Sequence, residues 1–310
     1  MPRRLHLFFR GINYFVLNFI KSGIVGPQYL IEPYSNPMSK EGRMRIGFLQ
    51  LRPKFGETKY NVKKVAALLG KVSDATIVLP ELFNTGYIFK NEAELLSLAE
   101  PVPRGFTTGE LKKVAKKRRL NLIFGMAQKL QRKCYNSAVF ISDKGKIDVY
   151  QKVHLFDREK LIFKRGKTFK VVRTGEAKLG LMICFDWFFP EVSRILMIKG
   201  AQILCHPSNL VLPYAQDAMK TRCLENGVFG ITANRIGTER RGTIALTFTG
   251  GSQIVDPKGD VLVSAGDRSE SLKVTDIDIG EADSKDITAN NNILEDRYPA
   301  IYSPVIRKRK

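Results

Sequence analysis

From Met44 onward, short apolar runs alternate with amphipathic segments, and this alternation restricts the chain to a small set of folds. The run "MRIGFLQL" alternates apolar and polar residues like a strand, and "NVKKVAALLGKV" then places Val62, Val65, Ala66 and Leu69 on one helical face. The run "ATIVLPE" is short and continuously apolar, which is typical of a strand buried on both faces. Strands that alternate with helices predict an α/β fold with a largely buried sheet.

The same alternation continues along the chain. The segment "TTGELKKVAKKRR" begins with Thr107 and Glu110 in capping-box spacing, which predicts a helix start. A strand "NLIFGMA" follows, and "CYNSAVFIS" and "KIDVYQK" flank the turn "DKGK" as a predicted hairpin. Later we expect strands in "FKVVR", "KLGLMIC", "AQILCH" and "VFGITAN", helices over 190–199 and 214–226, and a hairpin that turns at 256–259. No long Gly- or Pro-rich break interrupts this part, so we expect one domain.

Both chain ends differ from this pattern. The apolar stretch "LHLFFRGINYFVLNFI" contains Arg10 and is shorter than the ~20 residues that a membrane-spanning helix needs. The segment over 21–43 is rich in Gly and Pro and is predicted to be a linker. We therefore expect residues 1–43 to be an extension outside the fold, 44–302 to be the domain, and 303–310 to be a basic tail. A peripheral membrane anchor is the alternative for the extension.

The net charge of +21 in 310 residues suggests nucleic acid or an anionic membrane as partners. The basic residues are scattered and accompany no recognised binding motif, so a solvated basic surface explains them better, and we expect neither partner. The four cysteines form no C-x-x-C pair, which fits a reducing cytoplasm better than a disulfide framework. Three histidines without an H-E-x-x-H motif predict no metal centre, and no motif implies a cofactor.

Three polar residues stand where apolar strands are predicted to end, which is where open α/β sheets place their sites. Glu81 closes "ATIVLPE", Lys152 closes "KIDVYQK" and Cys184 closes "KLGLMIC". Alone, each has an ordinary explanation: a capping carboxylate, a surface lysine and a small core residue. Together they favour chemistry, because a cysteine nucleophile needs a nearby base to take its proton and a cation to stabilise negative charge.

The sequence around these three residues resembles the signature blocks of the nitrilase superfamily, the carbon-nitrogen hydrolases. The blocks are "LPELFNTGY", "YQKVHLF" and "GLMICFDWFFPE", and their order of glutamate, lysine and cysteine also matches. Further similar blocks are "YNSAVFI", "HPSN", "RCLENGVF", "ITANR" and "EDRYPAIY", so the resemblance covers about 44–302. The likeness is to small amidase-like members. It implies a four-layer α-β-β-α sandwich and a homodimer that pairs through the face carrying the nucleophile helix.

The resemblance also implies a role for each of four residues. Cys184 would be the nucleophile, Glu81 the general base and then acid, and Lys152 the cation that stabilises the oxyanion. Glu159 matches the family's additional glutamate, which would orient the lysine or the substrate; a simple surface carboxylate is the alternative. The backbone N–H of Phe185, directly after the nucleophile, is placed to meet the developing negative charge.

Other candidates are pocket residues. Tyr87, Phe185, Trp187 and Asn209 could line a mostly apolar cavity around a small substrate, and each could instead serve only in packing. His154 raises a competing mechanism, a Cys–His pair, because a histidine is the usual base for a cysteine nucleophile. It follows Lys152 by two residues, so on a strand both side chains would point the same way.

The substrate is the open question. Superfamily members that act on N-carbamoyl-D-amino acids carry two arginines shortly after the nucleophile, where this chain has Asp186 and Trp187. We therefore expect hydrolysis of a small linear amide, with an N-carbamoyl amine second and a nitrile third. A rival from another class is a basic module that binds nucleic acid or membrane and keeps a vestigial triad. A third is a glutamine-hydrolysing module, for which the sequence contains no synthetase domain.

Overall fold

The computed structural model describes residues 42–175 and 177–307. Contacts between Cα atoms divide the chain after Ser284, and the two parts are described separately. Apart from Gly42 and Arg43, the predicted extension over 1–43 lies outside the described residues, as do residues 308–310 of the predicted basic tail. The first strand starts at Arg43, one residue before the predicted start of the domain.

The first part contains two six-stranded sheets. The order in the first sheet is β14-β1-β2-β3-β4-β5, with β1, β2 and β3 parallel and the outer pairs antiparallel. Its strands are β1 Arg43–Gln50, β2 Ala75–Val78, β3 Leu120–Leu130, β4 Lys133–Ile141, β5 Ile147–Gln151 and β14 Ser271–Asp278. All four residues of β2 are buried, as its continuous apolar run predicted.

The second sheet has the order β13-β12-β9-β8-β7-β6, with β7, β8 and β9 parallel. Its strands are β6 Lys170–Arg173, β7 Lys178–Leu181, β8 Ile203–Pro207, β9 Phe229–Ala233, β12 Gln253–Val255 and β13 Val261–Ser264. A separate antiparallel hairpin consists of β10 Ile236–Arg241 and β11 Ile244–Thr249. In both sheets, the turns after the central parallel strands carry polar residues.

Helices cover the outer faces of the two sheets, which contact each other through β1, β2 and β3 on one side and β8, β9 and β12 on the other. The helices are α1 Thr58–Leu69, α2 Glu92–Leu98, α3 Phe106–Arg118, α4 Glu159–Ile162, α5 Pro190–Ile198 and α6 Ala215–Leu224. Val62, Val65 and Leu69 of α1 join the core on the first sheet, and α3 packs beside α1. Helix α5 packs on β7, and α6 packs on β9 and β12. The architecture is the four-layer α-β-β-α sandwich that the family resemblance implied.

The predicted capping box at Thr107 and Glu110 is wrong. Helix α3 begins one residue earlier, at Phe106, so Thr107 lies inside the first turn and is fully buried. The carboxylate of Glu100, from the preceding loop, accepts hydrogen bonds from the Thr107 backbone N–H and hydroxyl at 2.8 and 2.7 Å. A side chain seven residues upstream therefore caps the helix, and the sequence spacing gave no sign of it.

The second part of the chain contributes short elements only. Strands β15 Asp286–Thr288 and β16 Asn291–Asn292 pair with each other, and a short helix α7, Ser303–Ile306, follows a 3₁₀ turn over Pro299–Ile301. Among the described helices of the whole chain, none combines the length and apolar character that crossing a membrane requires.

Candidate active site

Glu81 lies in the turn that follows β2 and is completely buried. Its Oε1 accepts hydrogen bonds from the Lys152 ammonium at 2.7 Å and from the Asn136 side-chain amide at 2.6 Å. Its Oε2 is also buried and has no hydrogen-bond partner in the described structure. An unpaired buried oxygen is costly, which is why such an atom marks a position where a ligand or a proton is expected.

Lys152 directly follows β5, and its side chain is also completely buried. The ammonium donates to Glu81 Oε1 and, at 2.9 Å, to Oε1 of Glu159, the first residue of α4. Burial alone would lower the pKa of Lys152, but the negative charges of Glu159 and Glu81 outweigh burial and raise the pKa. The Lys152 ammonium therefore stays protonated and donates hydrogen bonds to two carboxylates.

Glu159 is held by a second set of contacts. The Tyr87 hydroxyl donates to Glu159 Oε1 at 2.8 Å, and the Phe156 backbone N–H donates to Oε2 at 3.2 Å. Burial, followed by the charge of Glu159, raises the pKa of Tyr87 well above its ordinary value, so the phenol stays a neutral donor. Glu159 is 4% exposed, so the alternative of a simple surface carboxylate does not describe it.

Tyr87 is anchored in turn by a buried ion pair on the β10–β11 hairpin. Glu239 accepts hydrogen bonds from the backbone N–H groups of Tyr87 and Ile88, at 3.0 and 2.5 Å. The Arg235 guanidinium donates to Glu239 at 2.9 Å and lies over the Phe248 ring at 4.0 Å. Because removing one member of a buried pair leaves an uncompensated charge, this pair fixes the loop that carries Tyr87.

Cys184 is the first residue of a 3₁₀ helix, Cys184–Phe188, three residues after the end of β7. Its φ of +41° lies in the left-handed region, which non-glycine residues seldom adopt. The Asp186 side chain stabilises this turn, because its Oδ2 accepts hydrogen bonds from the Ile183 backbone N–H at 2.9 Å and from the Tyr150 hydroxyl at 2.7 Å. Strained backbone of this kind clusters at functional sites.

The electrostatic surroundings of Cys184 keep its thiol protonated at rest. Burial and the charge of Glu81 raise its pKa well above the ordinary value, while Lys152 and a hydrogen bond from the Asn209 backbone N–H act in the lowering direction. Lys152 alone therefore does not produce a resting thiolate. A thiol in this state needs a base before it can act as a nucleophile, and Glu81 is the carboxylate with the strongest influence on this cysteine.

His154 does not face the cysteine as a base would. Its Nδ1 lies 2.8 Å from Asp186 Oδ1, and its ring stacks on Phe189 at a centroid distance of 3.7 Å. Lys152 and His154 both lie after the end of β5, so the shared strand direction expected for the two side chains is wrong. The structure thus ties His154 to the turn that supports Cys184.

The predicted pocket residues divide between two cavities. Phe185, Trp187 and Asn209 line a cleft of about 20 Å³ that also contains Cys184. Tyr87 and Glu159 instead line a neighbouring cavity of about 90 Å³. Phe156 lines both and therefore stands between them.

Asn209 is the most informative of these side chains. It is 2% exposed, and both its Oδ1 and its Nδ2 are buried without a hydrogen-bond partner in the described structure. An amide with one acceptor and two donor hydrogens, beside the cysteine, is suited to a substrate that also carries donors and acceptors. Trp187 is 6% exposed and gives the cleft an apolar wall.

Besides Arg235 and Glu239, sequence reasoning missed three residues that hold this site together. Asn136 binds Glu81, Gly125 allows strand β3 to pass against the Glu81 backbone, and His206 binds the Cys184 carbonyl oxygen. Asn136 and His206 lie in the blocks "YNSAVFI" and "HPSN", which carried the family resemblance but had no stated role. Among the described residues, no group of three or more His, Cys, Asp or Glu side chains could hold a metal ion.

Comparison with known proteins gives the family. The carbon-nitrogen hydrolase model matches residues 45–285. A nitrilase from Pyrococcus abyssi is 41% identical over 263 residues, which cover 84% of this chain and 99% of that protein. An (R)-stereoselective amidase from Pseudomonas sp. is 32% identical over 243 residues, with coverages of 77% and 86%. The solved structure of a carbon-nitrogen hydrolase from Helicobacter pylori G27 has a TM-score of 0.75 at 27% identity, covering 86% of this chain and 99% of that one.

The chain belongs to the carbon-nitrogen hydrolase family, the nitrilase superfamily, and to its amidase-like branch. It is a hydrolase of C–N bonds in the amide or nitrile class. The sequence-based prediction of family and fold is thereby confirmed.

Proposed function

We propose that the enzyme hydrolyses a small linear amide through a thioester on Cys184. The observation that carries this proposal is the asymmetry of the Glu81 carboxylate, whose Oε1 is saturated by Lys152 and Asn136 while its Oε2 is buried and unpartnered. Glu81 is also the charged group that most influences the Cys184 thiol. A free carboxylate oxygen beside a protonated thiol is what a general base needs.

The reaction then runs in two halves. Cys184 Sγ attacks the amide carbon as its proton passes to Glu81 Oε2, and the resulting oxyanion is stabilised by the Lys152 ammonium and the Phe185 backbone N–H. The C–N bond breaks, Glu81 returns the proton to the departing ammonia or amine, and a thioester remains. Water then attacks the thioester carbon as its proton passes to Glu81. The C–S bond breaks, Glu81 returns the proton to Cys184 Sγ, and the carboxylic acid leaves. Glu159 and Tyr87 orient Lys152 throughout.

The cleft supports a small substrate without a carboxylate. Its cavity volume of about 20 Å³ is far below that of pockets for drug-sized ligands. Asp186 lies in the region where N-carbamoyl-D-amino acid amidohydrolases carry two arginines, and it is buried and accepts hydrogen bonds from Tyr150 and the Ile183 backbone. The unpartnered Asn209 amide is proposed to bind the substrate's polar end, between walls that include Trp187. An N-carbamoyl amine is the second candidate. A nitrile is the third, favoured by the name of the Pyrococcus relative.

The test is ammonia release from a panel of short amides, N-carbamoyl amines and nitriles, with intact-mass detection of the acyl-enzyme. We expect Cys184→Ala to lower kcat at least about 10³-fold and to abolish the acyl adduct. Cys223→Ala, which removes a buried cysteine from α6, is the matched control and should retain activity. Hydrolysis retained by Cys184→Ala would exclude the thioester. Salt-dependent binding to duplex or anionic vesicles without any turnover would instead favour the basic binding module.

We also propose a homodimer that pairs through the face of α5. Phe188, Ile195 and Ile198 expose 53%, 36% and 46% of their surface on this segment, which is unusual for large apolar side chains unless a partner covers them. A cytoplasmic location and a domain spanning 44–302 remain proposals of the same kind, supported by the cysteine composition and by the extent of the family blocks.

A further inference from the structure

His206, on strand β8, is a completely buried histidine that the proposed mechanism does not use. Its Nε2 lies 2.8 Å from the backbone carbonyl oxygen of Cys184, and its Nδ1 lies 3.2 Å from the Thr232 hydroxyl. Thr232 is the residue directly paired with His206 on the neighbouring parallel strand β9. The ring is therefore fixed at both nitrogens by the sheet that carries the nucleophile.

The protonation state of this ring follows from its partners. Burial lowers the pKa of His206 to about 4, so the imidazole is neutral near pH 7 and carries one N–H. A carbonyl oxygen can only accept a hydrogen bond, so the hydrogen is on Nε2. Nδ1 is then an acceptor, and the Thr232 hydroxyl donates to it. The Cys184 carbonyl thereby selects the tautomer, and the Thr232 hydroxyl fixes the orientation of the ring by donating to Nδ1.

The carbonyl that His206 holds belongs to a strained residue. Cys184 has a φ of +41°, and non-glycine residues in that region cost of order 1–3 kcal/mol unless the surroundings fix them. The Ile183 N–H bond to Asp186 secures the turn on one side of the cysteine. The His206 bond to the Cys184 carbonyl secures it on the other.

This carbonyl shares a peptide plane with the Phe185 N–H. In a trans peptide, the C=O and the following N–H point in opposite directions. Holding the Cys184 oxygen toward His206 consequently directs the Phe185 N–H to the other side of the plane. Phe185 is also the second residue of the 3₁₀ helix, where backbone N–H groups have no acceptor within the helix.

We propose that His206 is a positioning residue for the reaction, which holds the Cys184 carbonyl through Nε2–H so that the Phe185 N–H faces the oxyanion. The inference rests on the proposed thioester mechanism and adds to it the group that orients the backbone donor. His206 touches neither the substrate nor the sulfur in this arrangement. Its effect is on the stability of the tetrahedral intermediate rather than on substrate binding.

The test compares three variants by kcat, KM and single-turnover acylation on an amide that the wild type hydrolyses. His206→Met removes the donor at similar length, and we expect kcat to fall about 10- to 100-fold with KM changed less than about threefold. His206→Gln keeps an N–H donor at comparable reach and should recover most of that loss. Thr232→Val removes the donor to Nδ1 that fixes the ring orientation and should lower kcat about threefold to tenfold. Thr238→Val, on the exposed face of the hairpin, is the matched control and should leave kcat unchanged.

The outcomes separate the two proposals. A His206→Met variant within threefold of wild-type kcat, or a Gln variant as slow as Met at the same folded fraction by circular dichroism, would overturn the positioning role. If His206→Met fails to fold, the kcat values of His206→Gln and Thr232→Val test the positioning role instead. A wild-type kcat in Thr232→Val would then contradict that role. Equal hydrolysis by the wild type and Cys184→Ala, or none by the wild type, would overturn the thioester mechanism and this role with it.

Discussion

The two oxygens of the Glu81 carboxylate have different surroundings, and we propose a different role for each. Oε1 is an anchor that accepts from Lys152 and Asn136, so it fixes the orientation of the group. Oε2 is left without a partner, so it is the atom that can accept a proton. In the proposed mechanism, Oε1 fixes the orientation of the carboxylate and Oε2 accepts the proton.

Glu81→Gln tests this division. The Gln carbonyl oxygen can replace Oε1 and keep both hydrogen bonds, but the amide nitrogen in place of Oε2 cannot take a proton. We expect kcat to fall at least about 10³-fold while the melting temperature changes by a few degrees. Measurement requires steady-state ammonia release and thermal unfolding of the same preparations. Glu110→Gln, on the surface of α3, serves as control, and a Glu81→Gln enzyme within tenfold of wild type would contradict the role of Glu81 as base.

At the scale of single residues, the sequence indicated the proposed catalytic residues but not the residues that position them. Glu81, Lys152 and Cys184 were singled out because each follows an apolar run, which the sequence shows directly. Glu159 was singled out only by the family resemblance. Asn136 was not singled out, since its contact with Glu81 depends on how β4 lies against the turn after β2. The raised pKa of the Cys184 thiol could not be predicted from the sequence either, because it depends on burial in the folded protein.

Among the elements, strand β3 shows how closely the scaffold approaches the site. At Gly125 a β-carbon would collide with the Glu81 Cα and approach the Leu82 nitrogen at 2.9 Å. The Gly125 backbone also donates to the Pro80 oxygen at 3.1 Å and accepts from the Phe83 N–H at 3.2 Å. A glycine is required here by the close approach of two backbones.

Gly125→Ala should therefore displace the Glu81 turn and damage both stability and catalysis. We expect a loss of about 2–4 kcal/mol in unfolding free energy, as for an overpacked core, and a kcat loss that persists in the folded fraction. Urea unfolding and kcat on the same samples measure the two effects. Gly109→Ala is the matched control, because its β-carbon would meet nothing within 4 Å on helix α3, and it should stabilise the protein slightly. Equal behaviour of the two variants would contradict the close-approach argument.

The elements that sequence reasoning missed share a cause. The β10–β11 hairpin and strand β14 were absent from the predicted pattern, although β14 pairs with β1 along its whole length. Most residues of β11 and β14 are exposed or partly buried, so neither strand presents the continuous apolar run that marked β2 or β8. Glu239, which anchors Tyr87, lies on that hairpin and was missed for the same reason.

For the whole molecule, His206 gives the stability a pH dependence. Burial lowers its pKa from 6.5 to about 4 in the folded protein, so the unfolded chain binds the proton more readily between these values. Stability contributed by the neutral ring is complete above pH 6.5 and falls as the pH drops toward 4, by about 3 kcal/mol. Urea unfolding at several pH values should show this decline in wild type and a shallower one in His206→Gln. Parallel curves for the two proteins would contradict it.

The proposed dimer makes a second prediction at this scale. Ile198→Glu places a charge on the exposed face of α5 and should shift the protein toward monomer in light scattering or sedimentation. Leu130→Glu, at an exposed apolar position at the end of β3, is the control and should leave the assembly unchanged. A wild type that sediments as a monomer at all concentrations would contradict the dimer.

The two sheets contribute different halves of the chemistry. Glu81 and Lys152 follow strands of the first sheet, whereas Cys184, His206 and Asn209 lie on or after strands of the second. The reactive set is complete only when the sheets have docked face to face. On the proposed mechanism, a chain whose sheets have not docked holds a cysteine without its base, so turnover itself reports that the two sheets have docked.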